Sequence, residues 1–199
     1  MNTLHIQVFF KMKYATLYTA FIKSSFGRLG SRSLIRPPFL SFDTSDIYVG
    51  ESCTIAENGW IQTIRKYAGE NFSPRIEIGN NTYIGRNSHI MACLKMQIGN
   101  NVILADGVYV TDNLHGFKNI NMPIMEQKLE TPGAVFIEDE AWLGEHVCIM
   151  PGVTVGKHSV IGSNSVVTKS IPPYSVAVGA PARVIKTMNL LTGNWEKLE

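Results

Sequence analysis

The chain has 199 residues, 45% hydrophobic and 17% charged, with a formal net charge of +2. That is enough apolar material for one sizeable core, it excludes disorder throughout, and the near-neutral total gives no reason to expect a nucleic-acid partner. No run approaches the roughly 18 apolar residues of a membrane-spanning helix, and three cysteines without CxxC or metal-ligand spacing suit a reducing, cytoplasmic setting better than a disulfide framework.

Residues 1–45 form the first unit. Residues 1–42 carry six basic side chains (Lys11, Lys13, Lys23, Arg28, Arg32, Arg36) and no acidic one, whereas the rest of the chain carries 12 basic and 16 acidic groups, a balance of −4. Its best apolar run, Tyr14 to Ile22, is broken by threonines and lies between Lys13 and Lys23 without a small-residue cleavage site, so it does not read as a signal peptide. The segment suits either an arm packed on the rest of the chain, with snorkelling lysines, or a peripheral contact with an anionic membrane surface.

From residue 46 to 171 the chain repeats every six positions. Val49, Ile55 and Ile61 are followed by Ile78, Ile84 and Ile90, then by Ile98, Leu104 and Val110. After a gap come Ile137, Leu143 and Ile149, and directly Val155, Ile161 and Val167. All fifteen are Ile, Leu or Val, residues that supply only 48 of the 199 positions. A small residue usually follows the anchor, as at Gly50, Ala56, Gly79, Gly85, Gly99, Ala105, Gly144, Gly156 and Gly162. A period of six fits neither a helix at 3.6 nor a plain strand at 2. It fits a short strand and a corner, three of which close a triangular coil of about 18 residues that must stack on its neighbours. Glycine after the anchor serves either a positive φ or a close approach of backbones. The expected fold is therefore all-β, a parallel β-helix, with helix left to residues 1–30 and to the carboxy terminus.

The interruptions are informative. Extra residues enter only after the third anchor of a coil, 11 after Ile61, 2 after Ile90, 21 after Val110 and none after Ile149. Every insertion therefore leaves one corner of the prism, and loops gathered on one edge of a solenoid mark its binding edge. The largest, residues 111–135, holds His115. The other histidines read as structural. His146 and His158 fall three positions after an anchor on outward corners, His89 sits just before one, and His5 lies in the basic arm.

The runs Ala141-Trp142-Leu143-Gly144, Ile149-Met150-Pro151-Gly152-Val153-Thr154-Val155-Gly156 and Val160 to Lys169, with Ile171-Pro172-Pro173 and Val178-Gly179-Ala180-Pro181-Ala182-Arg183-Val184-Ile185, resemble the hexapeptide-repeat acyltransferases. The resemblance spans about Asp46 to Lys186 and is nearest the galactoside, maltose and polysaccharide O-acetyltransferase branch. It implies a left-handed helix, a homotrimer with active sites between subunits, acetyl-CoA as co-substrate, and no required metal. It also implies that the tail, residues 172–199, completes the coenzyme site. The family motif Asp-His-Asn-His-Gly stands here as Asp112-Asn113-Leu114-His115-Gly116, which makes His115 the implied general base.

Gly144, Ser163, Thr168, Lys169 and Arg183 match donor-binding positions, and the two cations suit coenzyme phosphates. Asn87, Asp112 and Gln127 are the polar candidates for the acceptor, with Asp112 also placed to orient His115 or to cap its loop. Where the galactoside enzyme carries acceptor-binding groups this chain has Gly85, Cys93 and Glu145, so the same sugar is not implied. The expected activity is O-acetylation of a sugar hydroxyl, of a surface polysaccharide or its precursor. N-acetylation of an amino sugar and a non-catalytic scaffold are the alternatives. A zinc hydratase of the same fold needs three converging histidines, and none lies within twenty residues of His115.

Overall fold

The computed structural model describes residues 3–198. Its body is a left-handed parallel β-helix with three flat faces. On the first face Leu29, Val49, Ile78, Ile98, Ile137 and Val155 stack in register. The second face stacks Ile35, Ile55, Ile84, Leu104, Leu143 and Ile161. The third stacks Ile61, Ile90, Val110, Ile149 and Val167. All fifteen anchors read from the sequence point inward, none more than 4% exposed. Branched side chains stacked on both neighbours fill the prism, and parallel hydrogen bonding between coils satisfies the backbone.

The corners show why the small residues stand where they do. A Cβ on Gly79 would lie 2.6 Å from the Gly99 carbonyl carbon, and one on Gly85 would lie 2.4 Å from that of Ala105. Close approach is thus the reason for these glycines. Positive φ falls two positions later, at Asn81 and Asn101 on one corner and Asn58, Asn87 and Asn164 on the next, where asparagine adopts it at low cost. Side chains also link successive turns. The Asn80 backbone N–H donates to Asn100 Oδ1 at 2.8 Å, and that of Asn100 to Asp139 Oδ1 at 2.7 Å.

The stack begins before residue 46. Arg28–Leu29, Leu34–Ile35 and Phe39–Leu40 form a further coil beneath the expected first one. Leu29 and Ile35 keep the six-residue spacing, but the next position is Ser41, beyond Pro37-Pro38, so only two rungs of the repeat are visible. Beneath this coil lies the helix Thr3–Ile22. Thr19 Oγ1 accepts the Ile35 N–H at 2.9 Å, which occupies a donor on the lowest, otherwise open strand.

The upper end is closed by strands. Ile171 bridges to Val155, and Ser175–Gly179 extends the second face in parallel. The chain then reverses, and Ala182–Asn189 and Asn194–Lys197 add to that face antiparallel. The carboxy terminus is therefore strand where helix was expected, because the last rung offers unpaired backbone groups that residues 182–189 complete. The boundary expected at residue 172 likewise falls inside the stack.

Candidate active site

The insertions all leave the corner between the third and first faces, and two of them meet there. Residues 64–74 carry a small hairpin, Lys66–Tyr67 against Glu70–Asn71. In the largest insertion Leu114–His115 runs antiparallel to Leu129–Glu130, with His115 opposite Leu129. Gly116 is fixed by close approach: its N–H donates to Lys128 O at 3.0 Å, and a Cβ there would lie 2.4 Å from the same oxygen. The two loops start two coils apart, about 10 Å at the usual strand spacing, and they touch. Lys128 pairs with Glu70 at 2.9 Å.

His115 is exposed at this junction, its ring 5.4 Å from that of Tyr67 in an edge-on arrangement. The Tyr67 hydroxyl donates to Met125 O at 2.7 Å and lies 3.1 Å from His115 Nδ1. A phenol has one hydrogen, and a backbone carbonyl can only accept. With that hydrogen on Met125 O, Nδ1 must donate to the Tyr67 oxygen. The tautomer so assigned leaves Nε2 with a free lone pair, as a general base requires. Beside the site Ala68, Gly116, Gln127, Leu129 and Glu130 border a concavity of about 490 Å³.

The acceptor candidates fare differently. Asp112 is fully buried and bonds to the coil below. Its carboxylate accepts the Cys93 N–H at 2.9 Å, the Leu94 N–H at 2.8 Å and Asn113 Nδ2 at 3.0 Å. Among the described residues it has no bond to His115; its contacts close the two-residue bulge of the coil below. Gln127 borders the concavity, but its amide is spent inside the loop, accepting from Asn119 N and donating to the carbonyls of Asn119 and Met122. Asn87 stands on the corner between the second and third faces, where its Oδ1 accepts from Asn58 Nδ2 at 3.1 Å. None of the three presents a free polar group to His115 within this chain.

The donor candidates divide between edges. Gly144 and Ser163 touch across successive coils on the second-to-third corner, where a Cβ on Gly144 would lie 2.7 Å from Ser163 Oγ. Exposed Thr168 and Lys169 follow the last anchor of the third face, on the same edge as the His115 loop. Arg183 is exposed on the reversing strand, with Nη1 donating to Ala182 O at 3.0 Å. Lys169 and Arg183 both present exposed cationic groups at the surface.

Three of the remaining histidines have structural surroundings. His158 pairs with Glu140 at 3.1 Å, and His146 covers Gly107. His89 stacks on Trp60 at 4.1 Å and 9°. Among the described residues no group of three His, Cys, Asp or Glu side chains gathers as a metal-ligand set.

Residues 134–169 match the family described as bacterial transferase hexapeptide (six repeats), and residues 75–112 the hexapeptide repeat of succinyl-transferase. Over these two stretches the chain carries the hexapeptide repeats of that family of transferases. The galactoside O-acetyltransferase of Escherichia coli is 36% identical over 141 residues, 68% of this chain and 64% of that one. The chain spans 42% to 64% of the length of the first curated relatives it matches. Among solved structures, a hexapeptide-repeat acetyltransferase of Vibrio cholerae complexed with acetyl-coenzyme A superposes with a TM-score of 0.58 at 24% identity, over 87% of this chain and 78% of that one. An N-acyltransferase of Bacillus cereus, AntD, holding coenzyme A reaches 0.68 at 19% identity, over 87% and 90% of the two chains. At these identities the two structures bear on the fold.

Within this hexapeptide-repeat protein the departures from the galactoside branch have physical content. Gly85 leaves no room for a side chain beneath Ala105. Cys93 is buried against Asp112, and burial, then that carboxylate, pushes its thiol up to about 12. Tyr67 is the site residue that sequence reasoning missed. The only available signal was that its loop leaves the same corner as that of His115.

Proposed function

We propose that the chain is an acetyl-CoA-dependent O-acetyltransferase that acetylates a sugar hydroxyl, of a surface polysaccharide or its precursor, with His115 as general base. The observation that carries this reading is the free Nε2 of an exposed histidine whose Nδ1 is committed to Tyr67. Nε2 takes the hydroxyl proton as the oxygen attacks the thioester carbonyl carbon. The C–O bond forms, the C–S bond breaks, and the imidazolium returns the proton to the departing thiolate. No covalent acyl-enzyme is needed, in keeping with the absence of any cysteine or serine side chain bonded to His115 among the described residues.

Lys169 and Arg183 are the cations we assign to the coenzyme phosphates. Because the donor candidates sit on different edges, we propose that the site is completed between neighbouring copies in a homotrimer, each copy offering a different edge. The free thiols Cys53, Cys93 and Cys148 suit a reducing compartment, and we place the reaction in the cytoplasm.

The test is turnover of a panel of sugars and amino sugars with acetyl-CoA, read as acetylated product by mass. His115→Ala should lower kcat by about 10²- to 10⁴-fold, the usual worth of positioned proton transfer, with coenzyme binding retained. His146→Ala and His158→Ala serve as surface controls. Full turnover in His115→Ala would refute the assignment. Product formed only from amino sugars would replace the hydroxyl acceptor by an amine.

A further inference from the structure

We propose that the amino-terminal helix is a docking surface for an anionic phospholipid membrane. Thr3–Ile22 meets the body of the protein along one side, where Ala15 and Thr19 are buried and Tyr18 and Ile22 half-buried. Another side is apolar and open. Phe10, Tyr14, Leu17 and Phe21 are 62% to 84% exposed. At 100° per residue, their spacing of four, three and four confines them to an arc of about 60°, a continuous stripe along the helix. A contiguous exposed apolar patch marks an interaction surface.

Charge selects the partner. Lys11 and Lys13 flank the stripe, about 90° to one side and 70° to the other, so their stems can lie along a bilayer interface with the ammonium groups among headgroups. The whole segment 1–42 carries six cations and no anion. A groove between the helix and the first coil continues the pattern. It is lined by Val8, Met12, Ala15 and Pro37 together with Lys11 and Arg36. Arg36 reaches Glu57, another lining residue, at 3.9 Å, while its Nε is buried without a partner. Apolar walls with cations beside them fit an acyl chain and an anionic headgroup.

A second copy is the competing occupant; it would make binding independent of vesicle charge and is read out below by light scattering. No described helix is long and apolar enough to cross a membrane, so this one would lie in the plane of the interface.

The experiment is co-sedimentation of the full chain with vesicles of phosphatidylcholine alone or mixed with phosphatidylglycerol, at low and high salt. Binding is expected to the mixed vesicles and to weaken as salt rises. Leu17→Glu/Phe21→Glu should lower it at least about tenfold, and Lys11→Gln/Lys13→Gln about fivefold per lysine. Circular dichroism of each variant establishes that the fold is kept, and the lysine pair tests the proposal if the glutamate pair unfolds. Wild-type chain left in the supernatant, or variants that bind as the wild type does, would overturn the proposal. So would glutamate variants whose light-scattering mass falls while vesicles bind nothing, since the stripe would then belong to self-association.

Discussion

Tyr67→Phe isolates the one contact that assigns a catalytic role to a particular nitrogen. The substitution removes the oxygen that lies 3.1 Å from His115 Nδ1 and 2.7 Å from Met125 O, and leaves the ring that packs 5.4 Å from the imidazole. A neutral hydrogen bond of this kind is worth about 0.5–1.5 kcal/mol net. If it acts by holding His115 in its base-competent tautomer and orientation, kcat should fall by about 2- to 13-fold. The Tyr67 hydroxyl bonds to His115 and Met125 and to none of the donor candidates, so KM for acetyl-CoA should not move. Steady-state release of coenzyme A, with an acceptor identified by product mass, gives both constants. A double-mutant cycle supplies the sharper reading, because in a His115→Ala background Tyr67→Phe should have no further effect on the residual rate. An unchanged kcat, or an equal loss with and without His115, would show that the hydroxyl does not work through the imidazole.

Three further outcomes follow from the same geometry. Asp112→Ala leaves the Cys93 and Leu94 N–H groups without an acceptor, at about 1–3 kcal/mol each; urea unfolding should show about 2–6 kcal/mol lost, and an acceptor KM effect without that loss would restore a binding role. Lys169→Ala and Arg183→Ala should each raise KM for acetyl-CoA by about 10- to 150-fold, the worth of a charged hydrogen bond, and unchanged values in both would remove these residues from the donor site. Burial lowers the His89 pKa, so the stability gained from a neutral imidazole is full above the ordinary histidine value near 6.5 and is lost as pH falls through the lower folded value. His89→Phe should therefore flatten the fall of Tm between about pH 7 and 5, and an unchanged slope would place the acid sensitivity elsewhere.

The stack was legible because it is periodic. Every rung from Val49 to Val167 repeats the same packing problem, and the same residue types solve it. The first coil escaped because its third rung falls at Ser41, which leaves two anchors where three announce a turn. The reversing strands at the carboxy terminus escaped for a different reason: their partner is the open edge of the last rung, which exists only after the stack has formed. The position of His115 on the corner where the insertions gather was legible from the spacing of the anchors. The part played by Asp112 was not, since a carboxylate beside a catalytic loop reads the same whether it faces solvent or, as here, the backbone of the coil beneath.

That carboxylate also bears on why the functional loops use this corner. The other two corners are locked by close-packed glycines, by positive-φ asparagines and by side chains that cap the next turn. An insertion in either would break those links on two neighbouring coils at once. The third-to-first corner has no such continuous ladder, so lengthening it costs chiefly loop entropy, which grows slowly with length. What it lacks in links is supplied locally, by Asp112 bonding the bulge below and by Gly116 seated on Lys128 O. His115 stands between those two fixed points, one in the stack and the other in the inserted loop. The placement of its imidazole then depends on a third tie, from a separate loop, and Tyr67 provides it. A site built this way can change its acceptor by altering loop residues without disturbing any rung. That fits the departures at this corner, such as Cys93, occurring while all fifteen anchors keep their register.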